Sequence, residues 1–338
     1  MKILAKKDLV DVLKTWSDSY DVFAPSMKET GDVIFDRFDA DTFTLDYGKP
    51  SLPQKSEFLP QSEILFELKK GEYREVMAGS GKMLFGMRAC DVMGMRQAGS
   101  FMNRDVTDPY YKSKEEGILK VVMACSGPQN ETCFCTTVGS GPFAETGFDL
   151  QLYDLGDEFL VEAESGRGKQ LIANGPFGEV ADAGVGTKIE EFKVDASKAV
   201  EEVPALREAM KRLRDGSVSE KVWDYFGRKC IVCGGCAFVC PTCTCFNVSD
   251  FETKPGEGLR VRSWDACLFG GFTREASGHN PRGNQALRLK RRHEHKLLYY
   301  NETDILEGLC GCVGCGRCSD YCPVHIGTLE VVKAIAED

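Results

Sequence analysis

The stretch "CIVCGGCAFVCP" (residues 230–241) spaces four cysteines as C-x2-C-x2-C-x3-C and follows the last one with a proline. The stretch "CVGCGRCSDYCP" (residues 312–323) repeats both the spacing and the proline. We name these stretches run one and run two. This repeat is typical of chains that hold a pair of [4Fe–4S] clusters, because two intervening residues let three thiolates face the irons of one cubane.

In such repeats the cysteine before the proline ligates the cluster of the other run, so the predicted ligand sets are crossed. The first cluster is expected on Cys230, Cys233, Cys236 and Cys322, and the second on Cys312, Cys315, Cys318 and Cys240. Crossed ligation would put the two clusters side by side, in position to exchange an electron. Zinc is the alternative for four thiolates, but zinc ribbons use two separated C-x2-C pairs rather than two complete runs.

Eight cysteines lie outside the predicted ligand sets. Four of them fall in the first half of the chain, in "RACD", "MACSG" and "TCFC", and they are Cys90, Cys125, Cys133 and Cys135. Two of these four end predicted strands, where the ligand sites of α/β sheets gather, so the sequence predicts a third [4Fe–4S] cluster here. The alternative is that all four are inert buried cysteines.

The last four cysteines are Cys243, Cys245, Cys267 and Cys310. A fourth cluster on this set is arithmetically possible, but only the leftover count supports it. Packing thiols near the other clusters are the alternative.

The composition excludes several classes of protein. The chain has 338 residues and a net charge of −10, which argues against nucleic-acid binding. No apolar run approaches the roughly 20 residues that a membrane span needs, and the N-terminus does not read as a secretory leader. We therefore expect a cytoplasmic protein, and in a reducing compartment 16 cysteines indicate metal or redox chemistry rather than disulfides.

Residues 1–200 are predicted to form a domain of the α+β or α/β class, and residues 201–338 an α-helical, ferredoxin-type domain with the two clusters. "DVIFDRF" (32–38) and "DTFTLDY" (41–47) alternate like strands, and residues 149–165 read as a β-hairpin turning near Gly156. Residues 82–102 predict a buried strand followed by a helix with Asp91 as its N-cap.

Several segments together resemble the dicluster iron–sulfur subunits of one group of oxidoreductases. These are the β subunit of sulfhydrogenase, the dicluster subunit of anaerobic sulfite reductase, and the iron–sulfur subunit of flavin oxidoreductases coupled to heterodisulfide reductase. The segments are "CGGCAFVCPTCTCF" (233–246), "RSWDACLFGGFTREASGHNPR" (262–282), "RRHEHK" (291–296), "CVGCGRCSDYCPVHI" (312–326), "FGMRACDVMGM" (85–95), "DPYY" (108–111) and "CFCTTVGSGP" (133–142).

The resemblance implies an electron conduit that binds no flavin or nicotinamide by itself. Its partners would be a flavoprotein with FAD and a [2Fe–2S] centre that oxidises NAD(P)H, and a terminal hydrogenase, sulfite reductase or heterodisulfide reductase. The residues between the two runs also resemble the α-helical type of ferredoxin domain. An alternative function is an enzyme that reduces a sulfur compound at Cys125, Cys133 and Cys135.

The basic stretch "RLKRRHEHK" (288–296) is unusual in an acidic chain. It is expected either to offset the negative charge of an all-thiolate cluster or to dock an acidic partner. A solvated helix face is the remaining interpretation.

Overall fold

The computed structural model describes residues 1–77, 81–180, 185–300 and 310–338. Its strands are β1 (Lys2–Ala5), β2 (Asp21–Met27), β3 (Val33–Arg37), β4 (Ser62–Lys69), β5 (Glu72–Glu75), β6 (Lys82–Met87), β7 (Leu119–Met123), β8 (Leu150–Asp154), β9 (Glu158–Ala163), β10 (Phe246–Lys254) and β11 (Glu257–Trp264). Its α-helices are α1 (Leu9–Ser17), α2 (Lys55–Phe58), α3 (Ala89–Met102), α4 (Pro109–Gly117), α5 (Gly166–Ala173), α6 (Val185–Ala199), α7 (Ala205–Asp215), α8 (Glu220–Lys229), α9 (Gly235–Phe238), α10 (Gln285–Glu294), α11 (Arg317–Asp320) and α12 (Thr328–Glu337).

A mixed seven-stranded sheet organises the first half of the chain, in the order β1-β9-β8-β7-β6-β2-β3. The strands from β2 through β6 and β7 to β8 are parallel, and β1, β3 and β9 run antiparallel to their neighbours. Because both faces of the central strands are covered, β6 is a continuous apolar run in which Met83, Leu84 and Phe85 are fully buried. Helix α1 packs on one face through Leu9 and Leu13, and α3 packs on the other through Val92.

A second, antiparallel sheet has the order β10-β11-β4-β5. Its hairpin β10–β11 lies between the two runs, and β11 pairs with β4 from the first half of the chain. The region between the runs therefore contains a β-hairpin in addition to the helices that the ferredoxin resemblance implied.

A helical core surrounds the runs. Helices α7, α8, α10 and α12 bury Leu213, Trp223, Leu289 and Val332 in one cluster, and cysteines of both runs pack against it. The predicted fold class is confirmed: an α+β region precedes an α-helical, ferredoxin-type dicluster region.

The local predictions fared unevenly. The hairpin at 149–165 is confirmed as β8 and β9, but residues 41–47 contribute only an isolated bridge from Phe43 to Ser26. The N-cap of α3 is Arg88, and Asp91 stands three residues later, where its carboxylate accepts the Arg88 backbone N–H. The expectation for Asp91 was wrong because its side chain serves the first helical turn from inside the helix.

The domain boundary at residue 200 stays a prediction. It falls directly after α6, yet the second sheet combines strands from both sides of it. Among the described residues, no helix is long and apolar enough to cross a membrane.

Candidate iron–sulfur sites

The two runs fold alike. In each run a one-turn helix begins directly after a glycine, α9 after Gly234 and α11 after Gly316. The two helices contact each other, so the runs meet although 70 residues lie between them in the chain. The same spacing has produced the same local structure twice, as a pair of facing cluster loops requires.

Thiols from the two runs lie close enough to influence one another. Cys315 interacts electrostatically with Cys318 of its own run and with Cys240 of run one, which is the neighbourhood that crossed ligation needs. Cys236 interacts with Cys230 of its own run and with Cys318 of run two. Cys322 packs against the same helical core as Cys230 and Cys236, and Cys233 is exposed at the surface.

Backbone N–H groups point at four of these sulfurs. Val232 N and Gly314 N, which occupy equivalent positions, lie 3.4 Å from Cys230 Sγ and 3.4 Å from Cys312 Sγ. The other two contacts, Ile326 N to Cys322 Sγ at 3.4 Å and Thr328 N to Cys318 Sγ at 3.3 Å, come from the segment after run two. Such N–H···S contacts stabilise thiolate and are one means by which a protein sets the potential of a cluster.

Two cations from the basic stretch are buried among the thiols. Lys296 is 4% exposed, and its Nζ lies 3.2 Å from Cys240 Sγ and 2.7 Å from Thr242 Oγ1. Arg292 is 2% exposed and donates to the carbonyl of Cys236, and the thiolates of Cys236 and Cys318 raise its pKa. Neither cation forms an ion pair with a carboxylate of the described chain, although burial of an unpaired charge is costly.

The Nε atom of Arg292 is also buried without a hydrogen-bond partner. An acceptor bound beside this donor would satisfy it, and an anionic acceptor would also offset the buried charge. An all-thiolate [4Fe–4S] centre carries negative charge and sulfur acceptors, so these residues fit the cofactor. The basic stretch is thus divided: Arg292 and Lys296 face the thiols, whereas Lys290 pairs with Glu220 near the surface.

The four cysteines of the first half of the chain line one cavity. Cys90 lies in the first turn of α3, Cys125 follows β7, and Cys133 and Cys135 lie on the next loop and its 3₁₀ turn. All four face this cavity together with Cys315 of run two. We name them the amino-terminal thiols. The carboxyl ends of the parallel strands β6 and β7 bring them together, as expected for a doubly covered sheet.

Two cations also border this cavity. Arg88 is buried and donates to three carbonyls, those of Gly48, Met123 and Tyr47, while the Lys49 Nζ lies 3.7 Å from Cys133 Sγ. Lys49 pairs with Asp320, whereas Arg88 has no carboxylate partner in the described chain. Burial lowers the pKa of Arg88, but the electrostatic influence of Tyr47, and then of Cys125 and Cys90, outweighs it and raises the pKa. An anionic centre in this cavity fits these residues as well.

Run two is anchored to the amino-terminal thiols. The Phe134 backbone N–H donates to the carbonyl of Gly314 at 2.8 Å. The fully buried Arg317 guanidinium makes two hydrogen bonds to Asp91, at 2.7 and 3.2 Å, next to Cys90. Fixed contacts of this kind hold the amino-terminal site against the second run.

The remaining cysteines separate into two places. The Asp265 backbone N–H donates to the carbonyl of Cys245, which brings Cys245 near Cys267, and both line one cavity, while the Cys243 backbone N–H donates to the carbonyl of Cys240. Cys310 lies elsewhere, beside Cys312, and its thiol donates to the carbonyl of Lys296 at 3.5 Å. We name Cys243, Cys245 and Cys267 the hairpin thiols, because they flank β10 and β11. The structure therefore brings three of the four leftover cysteines together.

Within the described ranges, no three His, Cys, Asp or Glu side chains converge as they would around a single metal ion.

Burial makes several of the thiols poor nucleophiles. It raises the pKa of Cys135 to about 12 and also raises the pKa values of Cys90 and Cys125. In run one it raises the pKa of Cys236 to about 12. A reactive cysteine needs a depressed pKa, whereas a metal-binding thiol loses its proton when the metal binds.

Several cations at these sites carried no signal in the sequence. They are Lys49, Lys55, Arg88 and Arg317, which are all buried. Lys49 and Lys55 stand at ordinary positions, and only the fold brings them beside thiols that are distant in sequence. The sequence offered two indirect hints, since Arg88 belongs to the "FGMRACD" segment and Arg317 to run two, both quoted for the family resemblance.

The fold and the grouped thiols define an electron-transfer protein of the iron–sulfur class. A family model described as a 4Fe-4S dicluster domain matches residues 229–326. Over 300 aligned residues the chain is 32% identical to sulfhydrogenase 2 subunit beta of Pyrococcus furiosus. The alignment covers 88% of this chain and 86% of that relative. The chain therefore belongs to the family of sulfhydrogenase β subunits. No solved structure matches it.

Proposed function

We propose that this chain is the electron-carrying subunit of a cytoplasmic oxidoreductase complex. One partner would be a flavoprotein subunit with FAD and a [2Fe–2S] centre that oxidises NAD(P)H. The other would be a terminal hydrogenase, sulfite reductase or heterodisulfide reductase. The main support is the contact between the two runs, together with Cys315, which belongs to run two and lines the cavity of the amino-terminal thiols.

The proposed ligand sets are the crossed ones. Cys230, Cys233, Cys236 and Cys322 would hold one [4Fe–4S] cluster, and Cys312, Cys315, Cys318 and Cys240 the second. The amino-terminal thiols would hold a third. When bound, each cluster supplies a one-electron carrier. The chain's own residues supply the thiolates, the N–H donors and the buried cations Arg88, Arg292 and Lys296.

Iron and acid-labile sulfide per chain, measured on anoxically purified protein, test the number of clusters. About eight of each corresponds to two clusters and about twelve to three. Cys133→Ala should then remove about four irons, and an unchanged iron content would contradict the third cluster. Cys318→Ala should remove about four irons from run two, with Ser319→Ala as the neighbouring control that retains them all.

The role as a carrier is tested by what the isolated chain does alone. Its visible spectrum should bleach with a chemical reductant, but it should neither oxidise NAD(P)H nor turn over H2 or sulfite. Turnover without partner subunits would contradict the proposal. The alternative, an enzyme acting on a sulfur compound at the amino-terminal thiols, is disfavoured because burial raises the pKa of three of those four thiols.

A further inference from the structure

The hairpin thiols form a third group of cysteines around the runs. Cys245 directly precedes β10 and Cys267 follows β11. The antiparallel pairing of these strands therefore brings the two cysteines close together. The backbone N–H of Asp265 donates to the carbonyl of Cys245 at 3.0 Å, which fixes this closure, and both cysteines line the same cavity. Cys243 precedes Cys245 by two residues, and its backbone N–H donates to the carbonyl of Cys240 at 3.4 Å.

A buried lysine accompanies these thiols. Lys55 is 6% exposed, and its Nζ lies 3.2 Å from the carbonyl of Cys243 and 4.1 Å from the ring centroid of Trp264. Within the described chain it has no carboxylate partner; burial lowers its pKa, and the thiols of Cys243 and Cys240 act against that shift. An anion bound beside Lys55 would offset the cost of burying its ammonium.

A cavity of about 610 Å³ opens on the other side of the same thiols. Cys245 and Cys267 lie in its wall, with Arg282, Arg291 and His295 around them. The wall also includes Arg292, whose Nε is buried without a partner. The volume is within the range of small-ligand sites, and the charge of its lining favours an anion.

We propose that the hairpin thiols hold an additional [4Fe–4S] centre with three protein thiolates, whose fourth iron faces the cavity and takes a small anion as its ligand. This inference rests on the proposed function, because it assumes that the chain is loaded with iron–sulfur clusters. The three thiolates come from the hairpin, and Lys55 and Arg292 supply the buried positive charge. Arg282 holds the anion at the open iron, and Arg291, which pairs with Glu294, lies in the same wall.

The geometry separates this site from the four-cysteine set that counting alone would suggest. Cys310 points to the carbonyl of Lys296 and lies beside Cys312, so it does not complete the hairpin group. The Cys240 carbonyl accepts the Cys243 backbone N–H, but the Cys240 thiol interacts with Cys315, where the crossed ligand set uses it. A centre with three thiolates leaves one iron with a replaceable ligand.

Iron content tests the ligand set. Cys245→Ala and Cys267→Ala should each lose about four irons and four sulfides, while the clusters on the two runs remain. Cys310→Ala is the matched control, because it removes a buried cysteine of the same region and should retain the full iron content. An unchanged iron content in both hairpin variants, or a loss of four irons in Cys310→Ala, would overturn the assignment.

The open iron has a spectroscopic signature. Brief oxidation of the wild-type protein should remove the one iron without a thiolate and give the EPR signal of a three-iron cluster, and Cys267→Ala should lack that signal. Cyanide, used as the probe anion, should change the EPR spectrum of the reduced wild-type protein. Arg282→Gln should weaken cyanide binding about tenfold, the loss of one charge-assisted contact, whereas the exposed Arg274→Gln should not change it.

Outcomes against this site differ from outcomes against the proposed function. A wild-type chain without iron would contradict the proposed function itself. A wild-type chain with clusters on the runs, but with no three-iron signal after oxidation and no response to cyanide, would contradict only the open centre.

Discussion

Runs one and two share their cysteine spacing but differ in their surroundings. In run one Cys233 is exposed, and its neighbours Ile231 and Val232 are 58% and 39% exposed. In run two the equivalent Cys315 is buried, and the segment that carries Phe134 covers it. Where run one has Gly235, run two has Arg317, which is fully buried against Asp91.

Because of this difference, the two runs face different neighbours in the proposed relay. Run one faces solvent, where a partner protein can approach its cluster loop. Run two faces the amino-terminal thiols inside the molecule. A duplicated motif thus becomes two unequal sites, because the rest of the chain packs on only one of them.

The largest expected effect comes from replacing Gly314 of run two by valine, the residue that run one has at the equivalent position 232. At Gly314, where φ is +60°, a Cβ atom would fall 2.6 Å from the backbone carbonyl carbon and oxygen of Phe134. Gly314→Val should therefore cost about 4 kcal/mol, since backbone strain adds to overpacking. Thermal unfolding by circular dichroism and the yield of iron-loaded protein measure this loss. Wild-type behaviour of the variant would mean that the contact with Phe134 is not formed.

The buried ion pair that distinguishes run two should have the next largest effect. Asp91→Asn leaves the Arg317 charge unpaired in the interior and should cost about 3 kcal/mol. The double variant with Asp91→Asn and Arg317→Met removes both charges and should recover much of that loss. Denaturant unfolding of the wild type, the single variant and the double variant measures the recovery. The matched control is Asp250→Asn, which breaks the exposed pair with Arg260 and should change little.

Lys296 tests whether buried cations set the potential between the runs. Lys296→Met removes a positive charge 3.2 Å from Cys240 Sγ. Because the reduced cluster is more negative than the oxidised one, the loss of this charge destabilises the reduced form. The reduction potential of one cluster should fall by an amount on the order of 2 kcal/mol, or ~90 mV for one electron. An EPR-monitored redox titration measures it. Lys290→Met removes the neighbouring surface lysine and should leave the potential unchanged, and a fall of equal size there would refute the local role of Lys296.

The smallest effect should come from replacing Val232 of run one by glycine, the residue that run two has at the equivalent position 314. Val232 has φ of +60°, a conformation that is unfavourable for a β-branched residue. Val232→Gly should raise stability by about 0.5–1 kcal/mol, because relief of strain exceeds the added chain entropy. The midpoint of chemical unfolding should rise slightly, with Ile231→Gly as the control that should not rise. A lower midpoint in Val232→Gly would show that the apolar side chain is needed for the fold.

Much of the dicluster region could be predicted because its signals are local. The spacing of the runs predicts their turns and cluster chemistry without knowledge of the rest of the chain, and the matching family model agrees. The strand–turn–helix around Cys90 and the hairpin at Gly156 were predictable for the same reason. Asp91 was expected at the N-cap of α3 but lies inside the first turn of that helix. The sequence pattern identifies a capping type of residue without showing whether it precedes the helix or lies in its first turn.

The sequence by itself determined that this chain is an iron–sulfur protein, because eight cysteines at two repeated spacings encode their own geometry. Only the tertiary structure decided which thiols outside the runs belong together. It gathered the amino-terminal thiols at one sheet edge, brought Cys245 to Cys267 through a hairpin, and left Cys310 beside Cys312. It also decided which cations lie among the thiols. Such contacts join residues far apart in the chain, and no local pattern records them.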